Sequence, residues 1–480
     1  MNFSKVIKFI FLLSGLCFNV YSAKSQDQFT NVSLNNLDAF REPGNNWVIA
    51  SDAVADYTKQ HDIKVVKGEG VVVNNFSRNK QMHLYTKEEL GDIELELDFM
   101  MAKNSNAGVY LQGRYEIQLL DSWMRLDPTC SDAGGVYLRW TPERGQFEGT
   151  PPVMNVSRAP GLWQHLSIKF RAPRFNDKGE KIENARFISV YYNGILVQQE
   201  VEVTGPTGSA MFADEKAKGP LVLQGDHGPV AFKNIKYRQP VPPVRGPERD
   251  EYWIPKSNFW NTVNPIIVTP GTRPSFIKTF LMNGEKKLTH VLSVGAPNEV
   301  NYSYDVKQGA LFQVWRGKFI DVTPAWHERG GMQLGIPLGS VISLSDAPAV
   351  AVLQDEKAAW PDSVSFDNMH NKGYTLDKKR TPSFSYSYNN LNVKDSVVIM
   401  ENNEGISRTM TIDNSPANSY VRLAAGSTIE NISGDLYAVD NKSYYIKVDK
   451  KYKPVIRQSG KGWEIIVKYT NSPVTYFLIW

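Results

Sequence analysis

Between about residues 28 and 238, apolar side chains recur at every second position in short runs. "DIELELDFM" sets Ile93, Leu95, Leu97 and Phe99 against Glu94, Glu96 and Asp98. "NSNAGVYLQGRYEIQLLDSW" does the same with Val109, Leu111, Tyr115, Ile117 and Leu119. "GGVYLRW", "LWQHLSIKF", "RFISVYYNGILVQQ" and "GPLVLQGDHGPVAFKNIKYR" continue the pattern, with Asn193-Gly194 as a hairpin turn. A period of two with Gly-rich turns and almost no helical periodicity predicts a β-sandwich of jelly-roll type. The prolines at 240, 242, 243 and 247 cannot donate to a sheet ladder, so 240–270 reads as a linker. Strand patterns resume in "KLTHVLSVG", "GALFQVWRGKFIDV", "PSFSYSYNNL", "SVVIM" and "WEIIVKY". The expected organisation is all-β: a first sandwich over 26–239 and a second β-sandwich-type domain over 271–480.

The chain has 480 residues, which suits two domains. Its aromatic share of 11% serves either sandwich cores or sugar stacking, and core filling is the ordinary use. A net charge of +4, with no basic patch interleaved with aromatics, argues against a nucleic-acid partner.

The first 25 residues read as a secretory signal peptide: Lys5 and Lys8, an apolar stretch to Val20, then small residues. Leu16 before Cys17 is a poor lipoprotein signal, so a soluble periplasmic or secreted protein is expected. Removal of Cys17 leaves Cys130 alone and no internal disulfide. No later apolar run approaches the ~20 residues of a spanning helix.

The polar positions of 106–121 carry the candidate chemistry. Counting alternate residues puts Tyr110, Gln112, Arg114, Glu116 and Gln118 on one face, with Asp121 beyond. A ring, two amides, a guanidinium and a carboxylate suit sugar hydroxyls and a pyranose face. The alternative is a solvated face with Arg114 paired to Glu116. "LVLQGDHGP" turns Gln224 away from the inward Leu221 and Leu223, and its turn lifts Asp226 and His227 from the sheet. Asp226 is placed to orient the His227 ring and raise its basicity. Tyr137 and Arg139 alternate in "GGVYLRW". Glu94, Glu96 and Asp98 do not match the carboxylate order of a laminarinase-type sandwich and read as a solvated face. "WHERGG", with His327 and Glu328, lacks a further ligand at metal spacing.

Together, "NSNAGVYLQGRYEIQLLDSW", "GGVYLRW", "LWQHLSIKF", "NGILVQ" and "GPLVLQGDHGPVAFKNIKYR" resemble the 3-keto-disaccharide hydrolase family over roughly 28–238. The resemblance implies a concanavalin-like jelly roll acting on glycosides oxidised at C3 by a separate dehydrogenase. It places the family's motif residues on Glu116, Gln118, Asp121 and His227. Two departures bear on the substrate: the Gly225-Asp226 pair before His227, and a long polar stretch at 174–186. The second domain resembles an uncharacterised β-rich module found beside such domains.

The resemblance leads to an expected chemistry in which Glu116, His227 and Asp121 are catalytic. Asn106, Tyr110, Gln112, Arg114, Gln118, Arg139, Gln224 and Asp226 would bind an oxidised (3-keto) oligosaccharide or glycoside. Trp163 is a further stacking candidate. A divalent metal on Glu116, Asp121 or His227 is an alternative electrophile to these donors, and the sequence leaves the two open. The readings from other classes are a non-catalytic carbohydrate-binding sandwich and a conventional glycosidase.

Overall fold

The computed structural model describes residues 28–76, 81–239, 264–327, 331–460 and 462–480. The signal stretch, almost all of the proline-rich linker (240–263) and Glu328 lie outside them. Nearly every described element is a strand.

The first sandwich packs an eight-stranded antiparallel sheet against a five-stranded one. The inner, five-stranded sheet orders its strands Phe40–Arg41, Leu84–Leu90, Gly219–Leu223, Asn106–Leu111 and Tyr115–Leu120. Apart from the 106–120 hairpin, strands adjacent in space are far apart in sequence, as in a jelly roll, and this brings residues 83–85, 222–227, 106–110 and 116–118 together. Alternation decides what each sheet buries. Val109, Leu111, Tyr115, Ile117, Leu119, Leu221, Leu223 and Leu84 enter one core with Leu95, Leu97, Phe99, Ile168, Phe187 and Phe232 of the larger sheet. The Asn193-Gly194 turn has both residues at positive φ, which suits a two-residue hairpin. On the outer face of the larger sheet Glu94 pairs with Arg238 (2.7 Å), Glu96 with Lys236 (2.7 Å) and Asp98 with His165 (2.8 Å). Each of these carboxylates is thus paired within its own sheet, and Glu94 is buried there.

The second domain consists of six-, four- and eight-stranded sheets. Tyrosines fill its centre: Tyr302, Tyr304, Tyr444, Tyr445 and Tyr476 are fully buried, and Tyr304 stacks on Phe384 at 3.8 Å between centroids. Much of the aromatic content is therefore core. A buried Asp395–Arg408 pair (2.6 Å) also accepts the Tyr304 hydroxyl, so its charges are compensated inside the sandwich.

The two halves share a core. Tyr57, Trp123, Ala159 and Leu162 of the first are buried with the apolar residues of the second. Trp123 donates its indole N–H to the Trp480 carbonyl (2.7 Å), and Arg316 lies over both rings. Tyr445 donates toward the Pro160 and Ala55 carbonyls, Ser433 donates to Asp56, and Lys442 pairs with Asp52. Among the described residues no helix is long and apolar enough to cross a membrane.

Candidate active site

The face of the inner sheet that turns away from the core carries the polar residues. Tyr110 and Glu116 are direct cross-strand partners in the 106–120 hairpin, as are Gly108 and Gln118. On the other side Val222 lies between Tyr110 and Tyr85, and the Gln224 amide donates to the Gly108 carbonyl (2.9 Å). Two rows therefore cross the sheet. One runs Tyr85, Val222, Tyr110, Glu116. The other runs His83, Gln224, Gly108, Gln118.

Glu116 leans across the hairpin over Gly108. A Cβ on Gly108 would sit 2.2 Å from the Glu116 carboxylate oxygen, so glycine is what lets the acid lie there. Glu116 is 2% exposed, and its carboxyl is hydrogen-bonded by Tyr110. Burial, with the nearby charge of Asp226 adding to it, pushes its pKa up from 4.5 to about 8; the Tyr110 bond opposes this only in part. Near neutral pH Glu116 is thus a buried acid in its protonated form. The phenol of Tyr110 is pushed up by burial and by Glu116, that of Tyr85 by burial and by Asp226, and that of Tyr137 by burial and by Glu116, so all three are neutral donors.

The Gly225–Gly228 turn brings the second half of the site. Asn74 donates to the Gly225 (3.1 Å) and Gly228 (2.8 Å) carbonyls and accepts from Asn46 (2.9 Å), clamping the turn from below. Gly225 leaves no room for a side chain, since a Cβ would meet the Met82 carbonyl at 2.3 Å. Held this way, Asp226 lies 2.6 Å from His227 Nδ1, and the Gln224 amide approaches the same ring at 3.4 Å. With Nδ1–H donated to Asp226, Nε2 is left as the lone-pair nitrogen. The His227 side chain is about half exposed, whereas Glu116 is buried. Gln118 donates to Asn106 (2.7 Å), while Gln224 Oε1 and Ser105 Oγ are buried acceptors with no protein partner.

Residues 32–238 match the family described as 3-keto-alpha-glucoside-1,2-lyase-like domain. The match covers the first sandwich and leaves the second domain outside it. At the level of the family, the match supports a carbohydrate-active, hydrolase-like enzyme domain. The chain also aligns with two crystal structures of candidate glycosyl hydrolases from Parabacteroides distasonis ATCC 8503. One is 20% identical, with 48% of this chain and 94% of that chain covered at a TM-score of 0.31. The other is 21% identical, with 45% and 100% covered at the same TM-score. The binding domain of botulinum neurotoxin serotype D aligns over 95% of this chain and 97% of its own, at 8% identity and a TM-score of 0.26. No curated protein matches the sequence.

Within the lyase-like domain, Glu116, Tyr110, Gln118, Asn106, Gln224, Asp226 and His227 come together. Other expected members of the row do not join it. Gln112 and Gly113 have positive φ, so the chain turns there and strand alternation is broken. Gln112 donates to the Leu90 and Ala217 carbonyls. Arg114 binds the Asp214 carboxylate (2.6 Å) and carbonyl and lies over the Phe212 ring, so its partner is Asp214 rather than Glu116. Arg139 is engaged by Glu148, Thr204 and the Pro206 carbonyl. Asp121 accepts the Asn104 amide (2.9 Å) and supports the 103–105 turn. Trp163 packs in a separate cluster with Ala50 and Met100 under Lys233, away from the inner sheet. Part of the 174–186 stretch forms a small hairpin, tied by Lys181 to Glu215, which also accepts the Tyr115 hydroxyl.

The donor set for a divalent metal is not assembled. Among the described residues no three His, Cys, Asp or Glu side chains cluster for a metal, and Asp121 turns to a backbone amide. His83 and Tyr85, on the same face, were not anticipated. Their signal was present in "HLYT": Leu84 is buried in the core, so its neighbours on either side must face the other way.

Proposed function

We propose that the lyase-like domain cleaves glycosides bearing a ketone at C3 of the glycosyl ring, by elimination followed by hydration. The C3 carbonyl acidifies the C2 hydrogen. A base takes that proton, and the carbanion is held as an enediolate. Its electron pair then forms the C1–C2 double bond as the C1–O bond breaks, and the departing oxygen takes a proton from an acid. Water adds OH to C1 and H to C2 of the enone, so the two steps amount to hydrolysis. No carboxylate nucleophile is needed.

The observation that carries this reading is a buried carboxylic acid, Glu116, on one sheet face with an oriented Asp226–His227 pair. His227 Nε2 is the base for C2–H, and Asp226 stabilises the imidazolium that forms. Glu116 delivers a proton to the departing oxygen, with Tyr110 beside it. A positioned acid or base of this kind contributes about 10²–10⁴-fold. Gln118, Asn106 and the unpartnered Gln224 Oε1 bind hydroxyls. The reading includes export, from the signal-like first 25 residues, and a separate sugar 3-dehydrogenase that supplies the ketone.

The test offers the purified chain a 3-keto-glucoside or 3-keto-trehalose beside the unoxidised sugar. Release of 3-keto-glucose, or of an absorbing enone, from the keto sugar alone supports the proposal. Equal cleavage of both makes the protein a conventional glycosidase. Sugar-dependent stabilisation without turnover makes it a binding module.

A further inference from the structure

His83 is absent from the roles above, yet it occupies the same face. Its neighbour Leu84 pairs with Leu223 and is buried in the core, which places His83 beside Gln224 in the row that continues to Gly108 and Gln118. Its Nδ1 accepts the Gly225 amide (3.2 Å). A nitrogen that accepts cannot carry the proton, so the ring's N–H is on Nε2. Asp226 lies between the two histidines, 2.6 Å from His227 Nδ1 and 3.9 Å from His83 Nδ1.

We propose that His83 is a catalytic residue of this site, whose neutral Nε2–H binds the C3 carbonyl oxygen and stabilises the enediolate. The inference rests on the 3-keto reading above and adds the missing electrophile to it. Spacing supports it. His83 stands two inter-strand steps, roughly 9.5 Å, from Gly108, over which the Glu116 carboxyl leans from the next strand, with Gln224 between them. A pyranose laid across that row has His83 at C3, the Asp226–His227 pair at C2 and Glu116 at C1. The order of groups across the sheet then matches the order of the reacting carbons. Two further facts fit a neutral donor. The His83 side chain is about one-fifth exposed, and burial, with His227 adding to it and Asp226 opposing, holds its pKa below the ordinary histidine value. An uncharged imidazole polarises a carbonyl without yielding its proton prematurely.

Two variants separate this role from a structural one. His83→Asn keeps an acceptor near Nδ1 for the Gly225 amide but has no donor at the Nε2 position. His83→Gln extends an amide N–H toward that position. With the full chain and a 3-keto-glucoside, H83N is expected to lose about 10²–10³ in kcat, the usual cost of removing one oxyanion donor. KM should change far less, the thermal midpoint should stay within a few degrees, and H83Q should recover at least tenfold over H83N. An H83N protein within threefold of the parent kcat, or an H83Q protein no better than H83N, overturns the role of His83 while leaving the 3-keto reading intact. A parent protein that turns over no 3-keto sugar overturns both.

Discussion

Glu116→Gln probes the buried acid directly, because glutamine keeps the shape and removes the proton equilibrium. Glu116 has a folded pKa of about 8 against an ordinary 4.5. A folded-state pKa raised in this way means that the native protein binds a proton the unfolded chain releases. Stability from this group is therefore complete below about pH 4.5 and declines as pH rises, levelling off once pH passes about 8. At ~1.36 kcal/mol per pH unit, the loss is about 3 kcal/mol at pH 7 and approaches 5 kcal/mol above pH 8. The measurement is urea unfolding of parent and E116Q at each pH from 5 to 9. The advantage of E116Q over its parent should grow by roughly 1.4 kcal/mol per pH unit up to pH 8 and then level off. On a 3-keto-glucoside, the parent kcat should fall on the alkaline side as Glu116 ionises. E116Q should be slower by about 10²–10⁴ and lack that limb. Parallel stability curves for the two proteins would refute a buried, protonated Glu116. An alkaline limb that survives in E116Q would assign the titration to another group.

Three further substitutions test how the site is built. Gly108→Ala puts a methyl 2.2 Å from the Glu116 oxygen; it should cost about 1–3 kcal/mol in urea unfolding and reduce kcat by displacing the acid. Asn74→Ala leaves the Gly225 and Gly228 carbonyls without their donor, which should cost about 2–4 kcal/mol and lower kcat more than it raises KM, as the Asp226–His227 pair loosens. Trp123→Ala removes a buried ring shared by the two halves and should cost about 3–5 kcal/mol, read as a lower thermal midpoint of the whole chain.

The sandwich architecture was legible because alternation is a local property: each strand buries every second side chain whatever its neighbours. The same rule placed Tyr110, Glu116 and Gln118 together, and Gln224 on the face opposite Leu223. It misplaced Gln112 and Arg114 because counting by twos assumes an unbroken strand. The positive φ of Gln112 and Gly113 closes a hairpin in the middle of the count. Arg114 then meets Asp214, one hundred residues away, a partner no local pattern discloses. His83 escaped notice for the same reason. Its place in the site depends on strands 84–90 and 219–223 pairing, and on a hydrogen bond from Gly225, 142 positions later. At Asp121 the residue type matches the family pattern, while the partner its carboxylate accepts from, the Asn104 amide, is disclosed by no motif.

Trp123 lies three residues beyond the strand that carries Glu116, and its covering comes from the other half of the chain. The family match ends at residue 238, whereas the core that seals this flank extends to Trp480. A gene fragment stopping at the family boundary would leave Tyr57, Trp123, Ala159 and Leu162 facing water as an adhesive patch. The segment that is inherited as a recognisable module is thus smaller than the segment that must fold together. Any recombination that gave this catalytic sandwich a new companion would have to supply a replacement lid for that indole at the same time.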